Sequence, residues 1–187
     1  MTCIVAVAQD GVVYMGGDRL VSAGQTIYSG GPKIYFIENN GKREFLFGDA
    51  GQIRVGNLLK SIAFEMKTVD DPDDPVWMLV NNVIPAIREL IDENGATQRF
   101  EDGSDAYNCM LVGYRGHLFH IDSVLGVTEP SGGYFASGSG GDVALGSLAT
   151  TQNMDIPPKE RLRLALDASA KHHCFVSEPF DFLELGP

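Results

Sequence analysis

The start of the chain decides the fold, and it reads Thr2-Cys3-Ile4-Val5-Ala6-Val7-Ala8-Gln9-Asp10-Gly11-Val12-Val13-Tyr14-Met15-Gly16-Gly17-Asp18. Two runs rich in β-branched residues, 4–8 and 12–15, lie on either side of an Asp-Gly pair. Asp-Gly between two such runs predicts a β-hairpin, because both residues tolerate the positive φ of a tight turn. The chain therefore opens with a predicted hairpin that ends on a small, glycine-rich segment and an acid.

The hydrophobic pattern of the rest of the chain alternates in blocks. After the first hairpin, the predicted elements are a Gly- and Ser-rich loop to about residue 32, strands 34–37 and 44–47, helices 53–66 and 76–91, strands 108–112, 117–121 and 134–136, helices through 143–148 and from about 157, and a strand near 175 or 180–183. Pro85 predicts a kink or a join in the second helix. This order predicts an α+β protein in a single domain, residues 1–187, with one sheet packed on another and helices outside each sheet.

Composition excludes several classes of function. The chain has 14 Lys and Arg against 25 Asp and Glu, a formal charge of −11, and its cations form no cluster. A nucleic-acid partner is not expected, since binding phosphates requires grouped Lys and Arg. The densest charge block, Asp70-Asp71-Pro72-Asp73-Asp74, predicts a solvated loop. No Gly-x-x-x-x-Gly-Lys-Ser/Thr run is present, so the sequence predicts no ATPase motor of its own.

Cysteine usage and hydropathy indicate a cytoplasmic protein. Three cysteines, Cys3, Cys109 and Cys174, form an odd set with no zinc-site spacing, which predicts reduced thiols and no metal. The apolar start is too short for a signal peptide and lacks a basic flank. No stretch approaches the roughly 18 apolar residues that span a bilayer, so no membrane partner is expected.

Thr2 is the first candidate for chemistry. Methionine before a small residue is normally excised, and we expect Met1 to be all that must leave to make Thr2 the first residue. A terminal threonine combines a hydroxyl nucleophile with a free α-amine, whose pKa of about 7.7–8.0 lets it accept a proton near neutral pH. Alone, Met-Thr is also a common and unremarkable start.

The segment from Thr2 to Asp18 resembles the opening of proteasome β-type and HslV-like subunits, which carry an acid sixteen residues after a mature threonine, as here. Other segments fall in family order and together extend over nearly the whole chain. These are Gly30-Gly31-Pro32-Lys33-Ile34, Leu46-Phe47-Gly48-Asp49-Ala50-Gly51, Met110-Leu111-Val112-Gly113, His120-Ile121-Asp122, Ala136-Ser137-Gly138-Ser139-Gly140-Gly141 and Asp181-Phe182-Leu183-Glu184-Leu185. The resemblance implies the α+β fold of the N-terminal nucleophile (Ntn) hydrolases, a four-layer αββα sandwich.

The resemblance also implies a function and its partners. The chain is expected to be a threonine endopeptidase subunit of a self-compartmentalising ring protease, a homo-oligomeric hexamer or heptamer, possibly double. Such rings cleave unfolded polypeptide by acyl transfer from the terminal threonine and are fed by a separate AAA+ unfoldase. No cofactor is implied.

Two charged residues are expected to assist Thr2. Lys33 matches the family's catalytic lysine; its charge would favour the deprotonated hydroxyl and keep a nearby amine neutral. Asp18 would hold that lysine in place. Taken alone, Lys33 is equally a surface lysine after a turn, and Asp18 a loop acid.

Three further residues receive roles by the resemblance. The N–H of Gly48 would stabilise the oxyanion, although the residue also fits a turn glycine at a strand end. Ser139 would orient the threonine amine, or else cap the helix that follows it. Ser22 stands where the family has a threonine whose backbone pairs with an extended peptide substrate by strand addition.

Three features depart from the family pattern and motivate alternatives. The spacing from Thr2 to Lys33 is one residue shorter than in HslV-like subunits. The segment 171–177 lacks the aspartate that archaeal and eukaryotic proteasome subunits carry. If Met1 is retained, the chain is an Ntn-fold assembly or scaffold protein without catalysis. A small-molecule Ntn amidohydrolase is the third hypothesis, although many of those begin with Cys or Ser.

Overall fold

The opening hairpin forms as predicted and sets the position of everything that follows. In this computed structural model, which describes residues 2–24, 26–39, 41–62 and 74–187, β1 (Ile4–Gln9) pairs antiparallel with β2 (Val12–Asp18). The turn between them has Asp10 at φ 52° and Gly11 at φ 76°. These positive φ values explain why Asp-Gly occupies the turn. Met1, residues 63–66 of the predicted helix 53–66 and residues 70–73 of the acidic block lie outside the described residues. The described part of that helix ends at Leu59, earlier than predicted.

Two antiparallel sheets form the centre of the molecule. The first contains β1 and β2 between β12 (Tyr134–Ser137) and β13 (Phe180–Leu185), in the order β12-β1-β2-β13. The second has the order β11-β10-β9-β6-β5. Its strands are β5 (Ile34–Asn39), β6 (Lys42–Ala50), β9 (Cys109–Tyr114), β10 (His117–Ile121) and β11 (Val127–Thr128). A short pair, β7 (Gln98–Arg99) with β8 (Asp105–Ala106), lies apart from both.

The helices cover the two outer faces. The bounds are α1 (Ile53–Leu59), α2 (Pro75–Met78), α3 (Ile84–Glu93), α4 (Gly141–Thr151) and α5 (Pro158–His172). A π-helical turn, Leu79–Val83, joins α2 to α3 immediately before Pro85, so the predicted join in this helix is confirmed. Within the described residues, no helix is long and apolar enough to cross a bilayer.

Alternation along β1 shows how the layers pack. Ile4 and Ala6 lie in the core between the two sheets, together with Leu111 of β9. Val5 points the opposite way and packs in a second core with Leu166 of α5. A third core joins the outer face of the second sheet to α1 and the segment from α2 to α3. Since strand side chains alternate between faces, the same hairpin contributes side chains to two cores. The layer order is α-β-β-α, as predicted.

One predicted loop is wrong. Residues 20–29, expected in a Gly- and Ser-rich loop, contain the strands β3 (Leu20–Ala23) and β4 (Thr26–Ser29). They pair with each other as a separate two-stranded ribbon, in which every residue of β4 is exposed. The described residues before 51 therefore hold six strands and not four. An exposed ribbon lacks the half-buried alternation that makes a strand visible in a sequence.

Candidate active site

Thr2 precedes β1 and is fixed through its backbone. Its N–H donates to the Ser139 Oγ at 3.2 Å, and its carbonyl oxygen accepts from the Gly140 N–H at 3.2 Å. Gly138 has φ +94°, and a Cβ there would lie 2.3 Å from that carbonyl oxygen. The turn after β12 can therefore press against Thr2 only because residue 138 is glycine. Thr2 is 5% exposed, and in the chain as given its nitrogen is a peptide amide.

Asp18 lies at the end of β2, where the hairpin register brings it beside Thr2. Its buried carboxylate accepts the Cys3 N–H through Oδ1 at 2.8 Å and the Leu20 N–H through Oδ2 at 3.0 Å. The Lys33 Nζ donates to the same Oδ1 at 2.8 Å. Every donor to this carboxylate is thus a nitrogen, and one of them is a cation.

Lys33 lies immediately before β5, and its ammonium points back into the first sheet. Besides Asp18, it donates to the carbonyl oxygen of Leu20 at 2.7 Å. The side chain is only 13% exposed. Burial lowers the pKa of Lys33, and the adjacent Asp18 carboxylate opposes that shift. Lys33 and Thr2 line the same cavity, so the structure brings Thr2, Asp18, Lys33 and Ser139 to one place.

Comparison with known proteins shows what the chain and its fold are similar to. No protein-family model matches the chain. It is 26% identical to the ATP-dependent protease subunit HslV of Bartonella quintana (strain Toulouse) over 179 residues, 96% of this chain and 86% of that protein. The Thiobacillus denitrificans protein BPH, solved in complex with epoxomicin, superposes with a TM-score of 0.77 at 18% identity, covering 99% of this chain and 98% of that chain.

The eukaryotic HslV from Trypanosoma brucei gives a TM-score of 0.73 at 20% identity, with both chains covered completely at 100%. The chain is therefore similar in sequence to an HslV subunit and shares the α+β fold of HslV and BPH.

The structure does not place Gly48 where the sequence predicts. Gly48 lies inside β6, paired with Ile34 and Leu111, and it does not line either cavity that contains Thr2. A Cβ there would lie 2.7 Å from the Ile4 side chain and 2.8 Å from the Met15 sulfur. Gly48 therefore allows the two sheets to approach, and the oxyanion role assigned to it does not fit this position.

Gly51, rather than Gly48, lies beside the cavities that contain Thr2. It follows the end of β6 and lines both cavities that contain Thr2. Its φ is +156°, and a Cβ would lie 2.1 Å from the Oδ1 of Asn108, so only glycine fits there. The sequence alone does not distinguish the two residues, since Gly51 is the second glycine of the same segment.

Ser22 lies in β3, half-buried, and its register partner is Ile27 of β4. Its neighbour Val21 lines the cavity with Thr2, and Ser22 itself does not. Among the described strands, β3 pairs only with β4, so its other edge has backbone groups free to pair with an extended peptide. The predicted role of Ser22, which uses only its backbone, is compatible with this edge.

The corner after β2 is braced from the C-terminal strand. The Arg19 guanidinium makes a two-pronged contact with the Asp181 carboxylate of β13, with Nε donating to Oδ2 at 2.8 Å. This ion pair raises the pKa of Arg19. Since Arg19 directly follows Asp18, the contact helps to fix the segment that positions the Asp18 carboxylate.

Sequence reasoning missed a second group of polar residues in the same cavity. Asp49, near the end of β6, is buried, and Tyr35 and Asn108 donate to its Oδ1 and Oδ2, each at 3.1 Å. Burial raises the pKa of Asp49. Lys60, just beyond α1, also lines this cavity. Asp49 lies in the segment 46–51 that carries the family resemblance, but that resemblance gave it no role, and the sequence does not show that its side chain is buried beside Tyr35 and Asn108.

Proposed function

We propose that the chain is a threonine-type peptidase subunit in which Thr2, exposed by removal of Met1, is the nucleophile. The observation that supports this most directly is the Lys33 ammonium, held by Asp18 in the cavity that contains Thr2. A buried cation beside a hydroxyl favours the deprotonated, nucleophilic form of that hydroxyl. In this role Asp18 is a positioning residue that acts through Lys33.

The reaction follows from these groups as an acyl transfer. The free α-amine of Thr2, beside the Ser139 hydroxyl, accepts the proton of the Thr2 hydroxyl. The Thr2 oxygen then attacks the peptide carbonyl, and we assign the stabilisation of the oxyanion to the Gly51 N–H in place of Gly48. The amine product leaves with the proton, and water hydrolyses the ester to restore Thr2.

The partners belong to the same proposal. The Bartonella relative is named a subunit of an ATP-dependent protease. This supports a homo-oligomeric ring that acts on unfolded polypeptide in the cytoplasm. Since the sequence carries no phosphate-binding Gly-Lys-Ser/Thr loop, a separate AAA+ unfoldase would supply the use of ATP.

A mass measurement tests the nucleophile. Protein made in its native host is weighed intact and then treated with epoxomicin, the compound bound in the Thiobacillus structure. We expect the loss of Met1 and a covalent adduct on the peptide that begins with Thr2. Thr2→Ala should give no adduct and no hydrolysis of peptides, whereas Thr2→Ser, which keeps a hydroxyl, should retain measurable reactivity.

Two outcomes would replace the proposal. Uniform retention of Met1 with no adduct would favour the scaffold hypothesis, since an amide nitrogen cannot act as the base. Hydrolysis of small acyl-amino compounds without hydrolysis of any peptide would favour the amidohydrolase hypothesis.

A further inference from the structure

The cavity beside Thr2 has a composition that suits one kind of substrate side chain. Next to the catalytic groups, the residues that line it include the apolar Ile53, the acidic Asp49 and Gly56. An apolar wall that leads to a buried acid matches a long aliphatic chain that ends in a cation. This reading rests on the proposed function, because the cavity then holds a residue next to the scissile bond.

Asp49 is a buried carboxylate whose direct partners carry no positive charge. The two donors to it, the Tyr35 hydroxyl and the Asn108 amide, are neutral. Within the part of the chain that the structure describes, Asp49 makes no ion pair. Burial raises the pKa of Asp49 and outweighs the more distant ammonium groups of Lys60 and Lys33, which lower it. A buried charge without a direct counter-ion is costly, and a cation supplied by a ligand offsets that cost.

Helix α1 leaves room at this carboxylate. A Cβ on Gly56 would lie 2.5 Å from the Asp49 Oδ2, so any other residue at this helical position would press on the acid. Glycine inside a helix is destabilising relative to alanine. Its presence here is explained by the space that the Asp49 side chain occupies.

Lys60 is the competing charge in the cavity. Its ammonium donates to the Pro32 carbonyl oxygen at 2.6 Å and lies 5.2 Å from the centre of the Tyr35 ring. The residue is exposed, so water and these two contacts already stabilise its charge. A substrate anion would gain little there, whereas a substrate cation would meet the buried charge of Asp49.

We propose that this cavity receives the side chain of the residue before the scissile bond, and that Asp49 makes it selective for lysine or arginine. Asp49 is then a specificity-determining residue, distinct from the groups that carry out the acyl transfer.

Matched fluorogenic peptides that differ only at the residue before the scissile bond test the selectivity. With the processed protein, we expect kcat/KM to be higher for arginine than for leucine or glutamate. Asp49→Asn should lower the arginine value by about 10- to 100-fold and leave the leucine value nearly unchanged, since a bond to a charged group is lost. Asparagine can keep both contacts, because the Tyr35 hydroxyl can reverse and accept from its amide.

Lys60→Ala is the matched variant in the same cavity, and its effect should have the opposite sign. It removes a repelling charge, so kcat/KM for the arginine peptide should rise. Measured hydrolysis without a preference for arginine, or with a preference for glutamate, would overturn the proposal.

Binding to a catalytically dead protein separates this inference from the proposed function. Thr2→Ala protein is titrated with Nα-acetyl-arginine amide and with the norleucine analogue, and binding is followed by NMR. We expect only the arginine compound to bind, and Asp49→Asn to abolish that binding. This result without peptide hydrolysis by the processed protein would leave the cation site standing while the peptidase proposal fails. No binding of the arginine compound, or binding unaffected by Asp49→Asn, overturns the selectivity.

Discussion

Two buried aspartates border the site, and they are built in opposite ways. Asp18, at the corner after β2, accepts from two backbone N–H groups and from the Lys33 ammonium. Asp49, at the corner after β6, accepts from a hydroxyl and a side-chain amide. Both belong to strands that end beside Thr2, but only Asp18 has a cation within hydrogen-bonding distance.

The difference shows which carboxylate is already paired with a cation of the protein and which can bind a cation of a ligand. The negative charge of Asp18 already has a counter-ion within the protein, because its carboxylate binds the Lys33 ammonium. Asp49 carries a charge that the protein itself leaves without a direct counter-ion, so it can respond to a ligand. Replacing each acid with its isosteric amide should therefore have contrasting effects.

Asp18→Asn should have the largest effect. Both oxygens of Asp18 accept from N–H groups, so an amide NH2 must face a donor in either orientation. Breaking a buried pair in this way costs about 3 kcal/mol of unfolding free energy, and the displaced Lys33 should lower kcat by roughly 100-fold or more. Urea denaturation and peptidase assays measure the two effects.

Asp49→Asn is the matched control for that experiment, since it makes the same chemical change at the other buried aspartate that borders the site. A stable and fully active Asp18→Asn protein would show that the two corners do not differ as described.

Asn108→Ala should come next in size, because Asn108 links the Asp49 corner to the Gly51 turn. Its Oδ1 accepts the Gln52 N–H at 2.8 Å, and its Nδ2 donates to the Gln52 carbonyl oxygen at 3.1 Å. Losing these buried contacts should cost about 2 kcal/mol of stability. If Gly51 supplies the oxyanion donor, kcat should fall by about 100-fold as the turn shifts.

Tyr35→Phe serves as the control for Asn108→Ala. It also removes one hydrogen bond to Asp49 but leaves the Gln52 contacts intact. We expect its kcat to be close to that of the parent protein. Equal losses of kcat in the two variants would remove the special role of the Gly51 turn.

The sequence could predict the features that depend on local patterns, but not those that depend on contacts between distant residues. The first hairpin depends on a local Asp-Gly turn, and the layers follow from the order of hydrophobic blocks, so both were accessible. The expected cluster of Thr2 and Lys33 with Asp18 came from a motif. The choice between Gly48 and Gly51 was not accessible, because it depends on where β6 ends and on contact with Asn108, 56 residues from Gln52.

Gly56→Ala should have a smaller and conditional effect. Alanine favours the helix by about 1 kcal/mol, but its Cβ would press on the Asp49 carboxylate. We therefore expect this substitution to be neutral or destabilising in the parent and stabilising in an Asp49→Ala background. Thermal unfolding of the four proteins in this double-mutant cycle measures the coupling. Strictly additive effects would mean that the glycine is not explained by Asp49.

The smallest expected effect is the pH dependence of Asp49→Asn. Burial raises the pKa of Asp49 above its unfolded value of about 3.9. A group whose pKa is raised by folding contributes stability below the unfolded pKa and loses it as pH rises through the folded pKa. Asparagine does not ionise, so the variant should be at least as stable as the parent at neutral pH, and this advantage should disappear below about pH 4.

Urea midpoints at several pH values give the comparison directly. Because asparagine keeps the contacts with Tyr35 and Asn108, any difference at neutral pH reports the cost of the charge at this corner. A variant that is instead destabilised at neutral pH, as expected for Asp18→Asn, would mean that Asp49 is a satisfied structural anion. In that case a substrate cation would gain little by binding Asp49, and Asp49 would not differ from Asp18 in this respect.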